Sequence, residues 1–222
     1  SIQCPTMWMG TSKGFGHGEY PSLYADVLKS CIDEFVDQHP DVDRNRIYLG
    51  GCSNGGYMTM HMLIRNPRYF AAAYPTCEAY MDQYISETEI KALAEENIWF
   101  VQSYDDTTVD AKTHCIPTFQ RLMKAGAKNV WMSMFETVVG EDNPQVTQVG
   151  GISFKSMKGN QGPRTPCNVY LINIGRWNVA HNGDNGIEDA DKYLSSERVD
   201  VLVSACWNGL RDIMTKIKAN PS

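Results

Sequence analysis

Ser53 has the surroundings that a nucleophilic serine needs. It lies in Gly51-Cys52-Ser53-Asn54-Gly55, a G-x-S-x-G pattern. The apolar run Ile47-Tyr48-Leu49 ahead of it reads as a short buried strand. A helical pattern from Gly56 through Met62 to Ile64 follows. Strand, sharp turn and helix in that order form a nucleophile elbow, which lifts the serine oxygen clear of the sheet. The turn is strained, so Gly51 and Gly55 are expected where a side chain would collide with the neighbouring strand or helix. The helix starts directly after the serine. Its first backbone N–H groups, Asn54 foremost, face the place where negative charge would develop.

The segment 43–79 resembles the α/β-hydrolase family and is most similar to its esterase branch, which includes feruloyl-esterase-like and polyhydroxybutyrate-depolymerase-like enzymes. Arg46-Ile-Tyr-Leu-Gly-Gly-Cys-Ser53-Asn-Gly-Gly-Tyr-Met58 carries the resemblance. So does Asn66-Pro-Arg-Tyr-Phe-Ala-Ala-Ala73, which in such enzymes leads into the next strand. The resemblance implies a mostly parallel sheet with helices on both faces. It also implies carboxylic-ester hydrolysis through an acyl-enzyme. The triad members would follow in the order Ser, then Asp or Glu, then His, each on a loop after a strand.

A serine hydroxyl is a weak nucleophile near neutral pH. It needs a base within hydrogen-bond reach, and the base needs an orienting acid. Two aspartates, Asp105 and Asp106, follow the strand-like run from Ile98. Relatives often carry H-G-x-x-D-x-x-V there. Here Gln102-Ser103 replaces His-Gly, but Asp106 and Val109 keep the spacing, so Asp106 is preferred over Asp105. Either aspartate could instead cap the helix near Lys112, although Asp110 is better placed for that. Of the five histidines, His17 and His39 precede Ser53. His61 is too far along the elbow helix, and His114 sits on the helix after the aspartates. His181 remains, on the expected loop after the strand Val169–Ile174. Relatives often show a tryptophan just after this histidine. Here Asn-Gly-Asp-Asn-Gly follows, and Trp177 comes before.

In the implied mechanism Ser53 attacks the ester carbonyl with His181 as base and Asp106 as acid. The N–H of Asn54 holds part of the oxyanion. No metal or organic cofactor is needed. Cys52, His17 and Trp177 are candidates to touch the substrate, a small-molecule or polysaccharide-linked ester with an acetyl, feruloyl or other small acyl group. Two other readings compete. One is a prolyl-oligopeptidase-type serine peptidase, which shares the elbow and acid motifs. The other is a non-catalytic binding protein on a hydrolase scaffold.

The elements that must position these residues alternate between strand and helix. An amphipathic helix is expected over residues 20–38, with Tyr24, Val27, Leu28, Cys31, Ile32, Phe35 and Val36 on one face. Strands are expected at 47–49, 70–74, 98–102, 130–135 and 169–174. Helices are expected at 87–96, 112–124 and 205–219. Short strands alternating with helices imply a parallel sheet covered on both faces. Residues 138–166 show little periodicity. They are expected to form a loop, lid or small subdomain over the active-site mouth in a single domain spanning 1–222, with Phe154 and Met157 as possible acyl-pocket residues.

A chain of 222 residues can bury the core of one domain. Its net charge of −6, with no basic cluster, argues against nucleic acid and anionic membranes as partners. No apolar run approaches the length of a membrane span. The seven cysteines form no C-x-x-C pair, which argues against a zinc site. Cys52 and Cys77 fall at the same ends of adjacent expected strands, where a disulfide could form, and the compartment stays open. The resembled fold also has a strand beside the elbow strand and a His-Gly oxyanion loop, both ahead of Ser1. A missing N-terminal segment or a complementary chain is therefore expected to supply them. His17-Gly18 has the right letters but sits one strand later.

Overall fold

The computed structural model describes residues 2, 4, 6–135, 145–149, 152–158, 168–181 and 192–203. Expected as one domain, the chain divides into two compact units, Ser1–Glu136 and Thr137–Ser222.

The first unit opens with a small antiparallel hairpin, β1 (Gly10–Thr11) and β2 (Gly14–Phe15). Then follow α1 (Ala25–Gln38), β3 (Tyr48–Cys52), α2 (Asn54–Arg65), β4 (Ala72–Thr76), α3 (Glu87–Leu93), β5 (Ile98–Ser103), α4 (Cys115–Lys124) and β6 (Val130–Phe135). The sheet order is β3-β4-β5-β6, and every pair is parallel. The expected strand–helix alternation therefore holds through Phe135.

Side-chain alternation sets the faces of this sheet. Ala73, Ile98, Phe100 and Val130 are buried with Tyr57, Met60 and Leu63 of α2 and Leu122 of α4. The strand residues between them point the other way, and Tyr48, Tyr74, Trp99 and Trp131 are exposed on that side. α2 packs on β3 and β4, and α4 packs on β6.

Local signals explain most element ends. Ser86 and Glu89 form a reciprocal capping box that starts α3. Helix α1 starts at Ala25, five residues later than its apolar pattern suggests. Pro21 and the Ser22 hydroxyl, which donates to Trp8 O, belong to the turn before it. The buried stripe is Ala25, Leu28 and Val36, with Tyr24 and Ile32 beside it. Val27, Cys31 and Phe35, expected on that face, are exposed one helical step away.

His61 is buried on α2, its ring near-parallel to those of Tyr57 and Tyr80, which also contact each other. Neither ring nitrogen has a partner among the described residues. Burial therefore pushes its pKa down from 6.5 to about 4. The neutral ring suits the fold, whereas the unfolded chain takes up a proton below about pH 6.5. The stability linked to this group is present above pH 6.5 and is lost as pH falls toward 4. The full span corresponds to roughly 3 kcal/mol. His61→Phe keeps a stacked ring and removes the titration. Urea unfolding at about pH 7 and about pH 4.5 should show a shallower acid decline in the variant. Equal declines would place the acid sensitivity elsewhere.

The second unit holds β7 (Gln145–Val149), β8 (Ile152–Lys158), β9 (Asn168–Ile174), β10 (Trp177–His181) and β11 (Val201–Val203). They form one sheet in the order β11-β10-β9-β8-β7, antiparallel except for β10 with β11. Residues 138–166 contain β7 and β8. One expectation is corrected here: the strand at 169–174 pairs with β8 and β10 rather than joining the parallel sheet. The difference traces to the two-residue hairpin connection Gly175-Arg176 between paired Ile174 and Trp177. Gly175 has φ +61°, which glycine adopts without strain. Met157, a possible pocket residue, is buried with Val169, Ala180, Leu194 and Val199. The side chain of Phe154 and the helix expected at 205–219 lie outside the described residues.

Candidate active site

The elbow is built as its sequence suggests, with one glycine reassigned. Ser53 sits between the end of β3 and the start of α2 with φ +55° and ψ −112°. A non-glycine residue reaches that region only when its surroundings hold it there. Two backbone bonds do so: Ser53 N–H donates to Thr76 O at 2.9 Å, and Ser53 O accepts from Tyr57 N–H at 2.8 Å. A Cβ on Gly51 would lie 2.4 Å from the carbonyl carbon and oxygen of Gly55, so only glycine fits. Gly55 itself has open space where a Cβ would go. The second tight position is Gly56, where a Cβ would come within 2.8 Å of Thr76 O and Glu78 Cα. Gly56 lets α2 lie against the end of β4. The expectation that Gly55 avoids a collision is therefore corrected.

A contrast between two alanines tests this packing. Gly51→Ala forces backbone apart and should cost about 1–3 kcal/mol. Gly55→Ala should be neutral or gain up to about 1 kcal/mol from helix propensity. Urea unfolding of both variants checks the difference, and equal losses would refute it.

Asn54 begins α2, so its N–H has no acceptor within the helix. Its side chain is also used: Oδ1 accepts from Met9 N–H at 3.0 Å. This bond fixes the segment before β1 beside the elbow. The segment is tied down further by Gly16 N–H to Met9 O and Leu23 N–H to Gly10 O. No spacing rule links residues 9 and 54, so this brace is invisible in the sequence.

His17 lies in the loop after β2. Its Nδ1 is 2.9 Å from Ala79 O, and its own carbonyl accepts from Met81 N–H at 2.8 Å. Gly18 has φ +112° and lies against the Tyr80 ring. The His17-Gly18 loop is thus fastened to the chain just beyond β4. His17 meets His114 edge to face, with ring centroids 5.9 Å apart. His114 is buried, and burial holds its pKa below the ordinary histidine value.

Asp106 lies in the turn after β5. Its Oδ1 accepts from Thr108 N–H and Val109 N–H, each at 2.9 Å. It is half-buried, whereas Asp105 is exposed and accepts from the Ser103 hydroxyl at 2.5 Å. Asp110 accepts from Lys112 N–H at 2.9 Å but does not cap the helix, which corrects that expectation: α4 begins at Cys115, and its N-cap His114 makes no side-chain capping bond. Asp106 therefore does not cap α4. It folds its own turn, with both bonds on one oxygen.

Sequence reasoning missed Glu78, two residues past β4. It is wholly buried, one carboxyl oxygen accepting from Tyr80 N–H at 2.8 Å. The other oxygen has no partner among the described residues. Burial raises its pKa well above the ordinary carboxylate range. Its place at the C-terminal end of a parallel strand, beside the elbow strand, was the available signal.

His181 and Trp177 belong to the second unit. His181 is the last residue of β10, paired with Tyr170 of β9 and Val203 of β11. The sequence put it on a loop; the hairpin makes it strand. Its ring lies edge-on to Tyr170 at 6.4 Å. Trp177 starts β10, exposed, with the Arg176 guanidinium 4.7 Å above its ring. Among the described residues, no group of three or more His, Cys, Asp or Glu could hold a metal ion. No described helix is long and apolar enough to cross a membrane.

Residues 22–112 match the prolyl oligopeptidase family, a stretch that runs from α1 through the Asp106 turn. Among solved structures, a thermostable esterase is similar, at 25% identity and a TM-score of 0.53 over 61% of this chain and 34% of that one. An acylaminoacyl peptidase of Pyrococcus horikoshii aligns at 20% identity and a TM-score of 0.41, over 50% of this chain and 22% of that one. SOBER1 of Arabidopsis thaliana aligns at 14% identity and a TM-score of 0.41, over 50% of this chain and 51% of that one. No curated protein matches the chain. The chain spans 34% of the length of the esterase. The parallel sheet, its helices, the family match and the esterase likeness define an α/β-hydrolase fold. Within that fold the chain is similar to serine hydrolases of both esterase and peptidase kinds.

Proposed function

We propose that this chain carries the nucleophile of a serine hydrolase acting on carboxylic esters. The observation that carries the reading is the backbone of Ser53, held at φ +55° between a parallel strand and a helix. Strain of this kind gathers where a side chain must be presented for chemistry. The likeness to a thermostable esterase supports the ester-cleaving branch.

In the proposed reaction Ser53 Oγ attacks the acyl carbon while His181 takes the hydroxyl proton. Asp106 holds the imidazole in the required tautomer and stabilises its charged form. The tetrahedral oxyanion is met by Asn54 N–H at the start of α2. Collapse breaks the ester bond, and His181 returns the proton to the departing alcohol. Water then repeats the cycle on the acyl-enzyme. The meeting of His181 with Ser53 belongs to the proposal and rests on the order Ser, Asp, His along the chain. The acyl group proposed is small: acetyl, feruloyl or similar. Cys52, His17 and Trp177 are the proposed substrate contacts.

A second reading is favoured by the family match at residues 22–112: a peptidase of the prolyl oligopeptidase kind. A panel of acyl nitrophenyl esters run beside an acyl-proline peptide separates the two. Ester cleavage without peptide cleavage supports the first reading, and the reverse supports the second. A fluorophosphonate probe should label Ser53 in either case. Failure to label would favour a non-catalytic binding protein.

A further inference from the structure

Two cysteines meet immediately beside Ser53. Cys52 ends β3 and is in register with Thr76 of β4; Cys77 is the next residue along. Their sulfurs are 3.3 Å apart, in contact but beyond the roughly 2.0 Å of a bond. Cys52 is exposed and Cys77 half-buried, so a small reagent can reach the pair. Cys77 has φ +35°, and its N–H donates to Val101 O at 2.8 Å. Between the two cysteines runs the Ser53 N–H to Thr76 O bond that holds the elbow.

The other described cysteines lack this geometry. Cys115 is buried, and burial pushes its thiol up to about 12, so it stays protonated and unreactive. Cys31 is exposed on α1, and Cys4 lies near the N-terminus; neither has a neighbouring cysteine among the described residues. Attack at Cys31 or Cys4 would stop at a mixed disulfide. At Cys52 a second thiol is already in contact.

We propose that Cys52 and Cys77 form a modification site, a dithiol that closes to a disulfide by exchange with a small-molecule disulfide such as glutathione disulfide. The Cys52 thiolate attacks one sulfur of the reagent. The reagent's S–S bond breaks, a Cys52–glutathione bond forms, and one glutathione thiolate leaves. The Cys77 thiolate then attacks Cys52 Sγ and expels the second glutathione. The two thiol protons end on the two released glutathiones. The cysteine pair loses two electrons, and the reagent gains them. Closure draws the ends of β3 and β4 together across the bond that holds Ser53.

The test starts from fully reduced protein treated with glutathione disulfide. Peptide mapping should find a Cys52–Cys77 linked peptide, about 2 Da lighter than its reduced parts, while Cys31 carries glutathione. Cys77→Ser should give no such peptide and should accumulate the Cys52–glutathione adduct instead. The labelling rate of Ser53 by a fluorophosphonate should fall severalfold on closure and recover with dithiothreitol. The link is read by mass and does not depend on the hydrolase reading. Glutathione on Cys52 of wild-type protein with no linked peptide would overturn the proposal, as would a link from Cys52 to any other cysteine.

Discussion

Ser53→Ala is expected to lower ester turnover by a factor on the order of 10⁵ or more. The hydroxyl supplies the covalent step, and the neighbouring Cys52 cannot replace it. Side chains alternate along a strand, and Cys52 belongs to the strand face that carries Tyr48 and Gly50, not to the turn. The fold should tolerate the change. The elbow is held by the backbone bonds to Thr76 and Tyr57, and neither uses Oγ. Stability should therefore stay within about 0.5 kcal/mol of the parent. Steady-state hydrolysis of a nitrophenyl ester, paired with urea unfolding, reads both quantities. A variant that keeps a tenth of the parent rate would remove Ser53 from the reaction. A variant that loses activity and stability together would make Ser53 a folding residue.

The first unit was legible because its information is local. Gly51 and Ser53 mark the elbow turn, and the apolar run before it and the helical pattern after it set its frame. The strands at Ile98 and Val130 were legible as apolar runs with sharp ends. The glycine assignment failed because it depends on tertiary neighbours. Gly56 is constrained by Thr76 and Glu78, at and just beyond the end of β4, while Gly55 faces open space. The α1 face was drawn too wide for a similar reason. Val27 and Phe35 fit an apolar stripe, but only the side carrying Ala25, Leu28 and Val36 is buried, and α1 packs on α2. The second unit was misread where turn chemistry was overlooked. Gly150-Gly151 and Gly175-Arg176 are hairpin signals. Read as loop residues, they left β7 and β8 unseen and moved His181 from strand to loop. Glu78 was missed because a single glutamate after a strand carries no pattern; its meaning comes from complete burial.

The second large effect is expected at Asp106. The structural role of this side chain is to fold its own turn, with Oδ1 taking the N–H groups of Thr108 and Val109. Asparagine keeps that oxygen and those bonds. What it loses is the second carboxylate oxygen and the charge, and a triad acid needs both to orient and stabilise an imidazolium. Asp106→Asn should therefore leave stability nearly unchanged and lower kcat by about 10⁴, as loss of a triad acid does elsewhere. Asp105→Asn provides the comparison. Its carboxylate is exposed and bonded to the Ser103 hydroxyl, a bond asparagine can also accept. That variant should keep kcat within a few-fold of the parent. The pair separates a turn-former from a catalytic acid, because the hydrogen bonds survive in both variants and only the charge is removed. Equal, modest losses would leave Asp106 a turn residue and send the search for the acid to Glu78, the buried carboxyl beside the elbow. Glu78→Gln would then be the variant to lose turnover while keeping the bond to Tyr80 N–H.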